Sequence, residues 1–278
     1  MYSIPTEFID FIDLNCNRKE FIQSFLQKNG IDSPIISING KNHIYVNFSK
    51  KQYNPRYKIK TVIAHYDRAP FSYGANDNSV AVFCLMNWAV ELSKSNIAHN
   101  VRLIFTDGEE SESGIKNQGS YDLAKLFRKL KITKDDLFVF DCMGKGEIPV
   151  ISKFNFSSKV PFRFIKKYND LEKKAEFILQ KSCNQFVKLP THFSDNAGFL
   201  ANGIPCVAIS MLPSCEVVKY VQLINQTKTE NVEKLHFCDD FPQTWKNIHS
   251  TLDTVENLDT NSFEITFNIL NVLKMTNF

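Results

Sequence analysis

The chain has 278 residues, of which 43% are hydrophobic and 23% charged. That is ordinary for a globular protein and long enough to bury a sizeable core. A formal net charge of +3, with no basic run interleaved with aromatics, is too small to imply a nucleic-acid or membrane partner, and none is expected. The lysine pairs at Lys50-Lys51, Lys166-Lys167 and Lys173-Lys174 read as solvated faces.

In chain order, residues 5–29 are expected as a helical segment, because Phe8, Phe11, Ile12, Phe21, Phe25 and Leu26 recur at near-helical spacing before Asn29-Gly30. The first 13 residues carry Glu7, Asp10 and Asp13 and no apolar signal core, which argues against a secretory leader. Strands at 35–38 and 43–48 flank Asn39-Gly40, a hairpin signal because Asn-Gly tolerates positive φ. The pattern then alternates: strand 57–64, helix 78–95, strand 100–106, helix 117–130 and strand 137–140. A long amphipathic helix at 163–183, a strand at 205–211 and a closing helix at 260–275 follow. Alternating strands and helices predict a mixed, mostly parallel sheet covered on both faces, a three-layer α/β/α fold. No linker or repeat interrupts 1–278, so one domain is expected. The stretch 212–247 has no clear period and reads as loops and short helices forming a lid beside a pocket. No apolar run approaches the roughly 20 residues needed to cross a bilayer. Seven cysteines, without any C-x-x-C pair, fit reduced thiols and a cytoplasmic setting.

The chemistry sits where the apolar runs end. His65-Tyr66-Asp67, Asn76-Asp77-Asn78, Gly108-Glu109-Glu110 and Asp141 each fall at or just beyond such a run, and His249-Ser250-Thr251-Leu252-Asp253 comes late in the chain. Taken singly, Asp77 is a helix N-cap, Glu109-Glu110 a solvated turn and Asp141 a loop acid. Together they meet at one edge of a parallel sheet, where strand ends converge. Buried carboxylates and imidazoles crowded together are costly without a cation, so the reading is a metal site. Nitrogen and oxygen ligands without cysteine suit catalytic zinc. Three carboxylates (Asp77, Glu110 and Asp141) against two divalent ions and a hydroxide come to neutrality, which favours two metals. Of adjacent glutamates, one can face a metal and the other serve as general base.

The ordered set resembles the co-catalytic zinc aminopeptidases, in the group that also contains glutamate carboxypeptidases and glutaminyl cyclases. The likeness rests on Ala64-His65-Tyr66-Asp67, Gly74-Ala75-Asn76-Asp77-Asn78, the run from Phe105 to Glu110, Gly119-Ser120, Phe140-Asp141, Ser194-Asp195 through Phe199 to Gly203-Ile204-Pro205, and the run from His249 to Thr254. It implies a zinc-exopeptidase (phosphorylase/hydrolase-like) fold acting on peptides with a free N-terminus. It also implies that His65 and Asp141 bind one zinc ion (Zn2+), Glu110 and His249 a second, and Asp77 both. Glu109 would be the catalytic base and Asp67 would orient His65, while Asp195, Asn196, Phe199 and His192 would face substrate. A cis peptide is expected at Asp77-Asn78. Asn196 often stands as His in the family, and Val80 as a smaller residue; both departures bear on substrate preference rather than on metal binding. Two alternatives remain. One is a glutaminyl cyclase using a single zinc, although cyclases tend to carry Trp where Ile248 stands. The other is a metal-free binding module. His43 and His99 are read as turn residues, Asp107 as a turn-former, Asp253 as a cap or hydrogen-bond partner of the site, and Trp245 first as core.

Overall fold

A computed structural model describes residues 4–110 and 114–278. Four apolar runs form its centre: β3 (Lys60–His65), β4 (Val101–Thr106), β5 (Asp136–Phe140) and β8 (Cys206–Leu212). They pair in parallel in the order β4-β3-β5-β8, with Val62 beside Leu103 and Phe138, and Phe138 beside Val207. Their sequences lack polar alternation because both faces of the sheet are covered. Val62, Ala64, Leu103, Phe105, Phe138 and Phe140 point into a core shared with α3 (Val80–Ser93), α5 (Phe162–Ser182) and α10 (Thr260–Met275). The intervening Ile63, Ile104, Leu137 and Val139 point the other way, against α4 (Gly119–Lys129) and α6 (Asp195–Ala201). The expected three-layer architecture is present.

On one side the sheet is extended by β1 (Ile35–Ile38) and β2 (Lys41–Val46), an antiparallel hairpin turned at Asn39 and Gly40, with φ of 50° and 82°. Such a tight turn needs positive φ at both positions, and it starts β2 two residues before the expected 43. On the other side lie β6 (Ile148–Ser152), antiparallel to β8, and β7 (Val187–Leu189), parallel to β6. The full order is β1-β2-β4-β3-β5-β8-β6-β7.

Several elements depart from the sequence reading. Residues 5–29 form two helices, α1 (Thr6–Ile12) and α2 (Arg18–Lys28). The Asp13 side chain accepts the Asn15 N–H at 2.7 Å and the Asn17 side chain accepts the Glu20 N–H at 3.3 Å. Short polar side chains thus replace helical bonds and restart the helix. The 57–64 strand begins only at Lys60, because Tyr57 closes a turn onto the Asn54 carbonyl at 3.1 Å. Neither β6 nor β7 was expected. The stretch 212–247 contains a full helix, α7 (Ser214–Thr227), before the short α8 (Val232–Leu235) and α9 (Gln243–Asn247). Val217, Tyr220 and Leu223 of α7 are buried, but exposed Val218 and Val221 between them hide the period. His43 lies in β2 and His99 just before β4, both buried rather than in open turns. Among the described residues no helix is long and apolar enough to cross a membrane.

Candidate active site

Parallel register carries the ends of β3, β4 and β5 to one edge. His65 is the last residue of β3 and pairs with Thr106, while Asp141 follows β5 and donates its N–H to the Ile209 carbonyl at 3.0 Å. The His65 side chain is fully buried. Two residues on, Asp67 lies 3.6 Å from His65 Nδ1 and accepts the backbone N–H groups of Glu109 and Glu110 at 3.2 and 3.0 Å. One carboxylate therefore both faces the far nitrogen of His65 and shapes the loop leaving β4.

Asp77 sits in the turn Ala75–Ser79 that leads into α3, and the Asp77-Asn78 peptide is cis, as the family resemblance implied. Three neighbours pin this turn. The Asp253 carboxylate accepts the N–H groups of Asn76 and Asp77 at 2.7 and 3.1 Å; the Asn76 side chain accepts the Gly144 N–H at 2.7 Å; and Asn78 donates to the Phe140 carbonyl at 2.8 Å.

The Asp77 oxygens then face two different imidazoles. Oδ1 is 3.1 Å from His65 Nε2, which is also 3.5 Å from Asp141 Oδ1. Oδ2 is 3.1 Å from His249 Nε2, itself 3.0 Å from Glu110 Oε2. The outcome is two adjoining triads sharing Asp77: His65, Asp77 and Asp141, and Asp77, Glu110 and His249, each with its ligand atoms within 4.8 Å of one another. His65, Glu109 and Glu110 are equally compact, but Glu109 Oε1 is held at 2.9 Å by the Gln118 side-chain amide.

Charge crowding shifts these groups. Burial pushes the Glu109 carboxyl well above its usual range, and the charges of Asp141, Asp195 and Glu110 push it further, against His65. Burial and the Asp77 charge raise Glu110 to about 7. Burial opposes ionisation of Asp77, yet His249 and His65 hold it low. His249 is raised to about 11 by its contacts with Asp77 and Glu110. For His65, burial works downward, but the surrounding Asp141, Asp67 and Asp77 carboxylates lift it well above its usual value. A divalent cation would relieve the same crowding that protons relieve here. Among the described residues His65 Nε2, Glu110 Oε1 and Asp141 Oδ1 are buried without a hydrogen bond, and buried polar atoms seldom go unpaired. An imidazole and carboxylate donor set with such atoms fits divalent cations of the zinc, manganese or cobalt type.

The cluster opens into a cavity of about 660 Å³. His192 lines it, as does Trp245, which is at the same time core. Three residues expected on the substrate side do not line it. Asp195 accepts from the Thr106 hydroxyl and Asn196 from the Ser194 N–H; Phe199 is fully buried with its ring 5.5 Å from Phe127. Asp195 and Asn196 are the first residues of α6, while the preceding Thr191, Phe193 and Ser194 line the cavity. The sequence reading also missed Gln118, Ser152, Ser210 and His236 as wall residues. Gln118 directly precedes the Gly119-Ser120 pair and Ser210 lies in the expected 205–211 strand, so both were within reach; Ser152 and His236 depended on recognising β6 and α8.

The model of peptidase family M28 matches residues 44–273. No curated protein matches the chain in sequence. Among solved structures, the fold is similar to the LapA aminopeptidase of Legionella pneumophila, with a TM-score of 0.66 at 14% identity over 97% of this chain and 69% of that one. It is also similar to the glutaminyl cyclase of Porphyromonas gingivalis, with a TM-score of 0.65 at 18% identity over 97% and 94%. A third is BSAP, a zinc aminopeptidase from Bacillus subtilis, with a TM-score of 0.55 at 18% identity over 84% of this chain and 48% of that one. This chain thus spans about half the length of BSAP. At such identities the likeness is one of fold. The segment matched in sequence contains the whole cluster from His65 to His249, and the chain belongs to peptidase family M28.

Proposed function

We propose that the protein is a metal-dependent aminopeptidase, a cytoplasmic hydrolase that releases the N-terminal residue of peptides with a free N-terminus. The observation that carries this reading is the split of the Asp77 carboxylate between His65 and His249, each completed by a further acid. His65, Asp77 and Asp141 would hold one zinc ion, and Asp77, Glu110 and His249 the second. Bound there, the pair supplies Lewis acidity that polarises the scissile carbonyl and eases ionisation of water.

Glu109 is the general base. Gln118 holds Oε1 and leaves Oε2 for the attacking water. Burial and neighbouring negative charge raise its proton affinity, so the carboxylate can take the water proton as the new C–O bond forms. It returns that proton to the leaving amine as the C–N bond breaks. Asp67 fixes the tautomer of His65 by facing its Nδ1, leaving Nε2 for the cation. Support for a peptidase comes from family membership, and for the aminopeptidase over the cyclase from the Asn76-Asp77-Asn78 turn and from Ile248 before the last histidine; the fold is shared with both.

The test is incubation of the purified protein with a panel of aminoacyl-anilides and with a peptide beginning in glutamine. Release of free amino acids, abolished by a chelator, is expected. Pyroglutamate as the sole product would reassign the site to cyclisation, and no turnover with zinc-loaded protein would leave a binding module.

A further inference from the structure

We propose that Arg18, outside the segment matched to the family, is a positioning residue that holds the His65 and Asp77 segments in register. The proposal rests on the reading above, in which those two side chains hold divalent cations. The exit of β3 and the turn carrying Asp77 are separate stretches of chain, and the Arg18 guanidinium lies between them. Nη1 donates to the carbonyls of Tyr66 at 3.1 Å and Asp67 at 3.5 Å, directly after His65. Nη2 donates to the Tyr73 carbonyl at 2.7 Å, the Ser79 hydroxyl at 2.7 Å and the Gly74 carbonyl at 3.4 Å, on either side of Asp77. One planar group therefore spans both segments.

The surroundings are built around it. Arg18 is 6% exposed, and its guanidinium lies over the Phe11 ring at 5.0 Å. Gly74 has φ of +59°; a Cβ there would sit 2.6 Å from the Asp77 carbonyl oxygen and 3.2 Å from Nη2. Arg68 makes a different tie, from the exit of β3 to the end of α1: it donates to the carbonyls of Ile12 and Asp13 at 3.1 Å and to Leu14, and among the described residues to none in the Asp77 turn.

Every acceptor of Arg18 is neutral. A buried cation served by neutral acceptors gains no ion-pair attraction to offset its desolvation, and removing it leaves those acceptors unpaired. Its use here is geometric: the rigid fork bridges two segments, which a lysine point charge does not reproduce. Partners of ligand residues commonly tune metal affinity in this way.

Cobalt(II) titration of metal-stripped protein, followed by d–d absorption, tests the proposal on wild type, Arg18→Met, Arg18→Lys and Arg68→Met. Melting of the same samples, and kcat and KM on one aminoacyl-anilide, accompany it. Arg18→Met is expected to weaken cobalt binding by roughly 10–100-fold and to lower kcat more than it raises KM, with Arg18→Lys recovering part of the affinity. Arg68→Met removes only the tie to α1 and leaves the Arg18 bridge intact; it is expected to melt lower yet keep wild-type affinity. Wild-type affinity in Arg18→Met, or an equal loss in Arg68→Met, overturns the proposal. Should Arg18→Met fail to fold, Arg18→Lys decides: weaker binding at an unchanged melting midpoint supports the assignment, and unchanged binding overturns it. A wild-type protein that binds no cobalt overturns the metal reading itself, and the proposal with it.

Discussion

Glu109 and Glu110 are chain neighbours with different partners, and the proposed difference in their roles comes from where their side chains point. Glu110 reaches His249, whereas Glu109 is tethered by Gln118. Glu109→Gln keeps the shape and removes the proposed base. Turnover is expected to fall by roughly 10²–10⁴-fold while the bound-zinc stoichiometry measured by atomic absorption stays unchanged; full activity would reassign the base. Outside the site, His99 packs edge-on against Phe48 at 5.1 Å, and its Nδ1 accepts the Val101 N–H at 3.0 Å. That geometry requires a neutral ring, and burial lowers its pKa to about 4, assisted by Lys60 and Lys274. The folded-state value lies below that of the unfolded chain, so His99 adds stability above pH of about 6.5 and loses it as pH falls toward about 4. His99→Gln is therefore expected to flatten the acid-side decline in urea-unfolding stability between pH 7 and 5. An identical slope in both proteins would count against this role for His99.

At the scale of elements, the site depends on how α4 begins beside the loop leaving β4. The Gly119 N–H binds the Gly108 carbonyl at 2.9 Å, and a Cβ on Gly119 would fall 1.8 Å from the Asp107 carbonyl oxygen. No rotamer relieves a clash with backbone, so the loop presenting Glu109 and Glu110 must move. Gly119→Ala is expected to cost more than about 2 kcal/mol and to reduce cation binding, read by chemical denaturation and zinc titration. A variant with wild-type stability would show that this loop adapts. Such close approaches cannot be seen in sequence; Gly119 was legible only as part of a motif. The central strands were legible because both their faces are apolar, and the β1–β2 hairpin because Asn39-Gly40 demands its turn. Helix α7 was not, because Val218 and Val221 are apolar yet exposed, so composition masked the buried stripe.

Across the whole molecule, the two triads join five segments: the end of β3, the turn before α3, the exits of β4 and β5, and the 248–253 loop. A ligand that binds only where these meet stabilises the folded state by mass action, about 2.7 kcal/mol at a hundredfold excess over Kd. Stripping the metal is therefore expected to lower the melting midpoint by roughly 5–10 °C for a chain of this size, and zinc should restore it. His65→Ala should abolish that restoration; an undiminished zinc shift in this variant would remove His65 from the ligand set.

Sequence alone determined the layered α/β architecture, the sheet edge that bears the candidate site, and the two histidines and four acids gathered there. Periodicity, turn residues and ordered motifs are local properties written in consecutive residues. Tertiary structure alone decided which Asp77 oxygen faces which histidine, that Gln118 holds Glu109, that Phe199 is core rather than wall, and that Arg18 bridges β3 to the turn before α3. Each of these is a contact between distant segments, set by register and close packing rather than by any neighbouring residue.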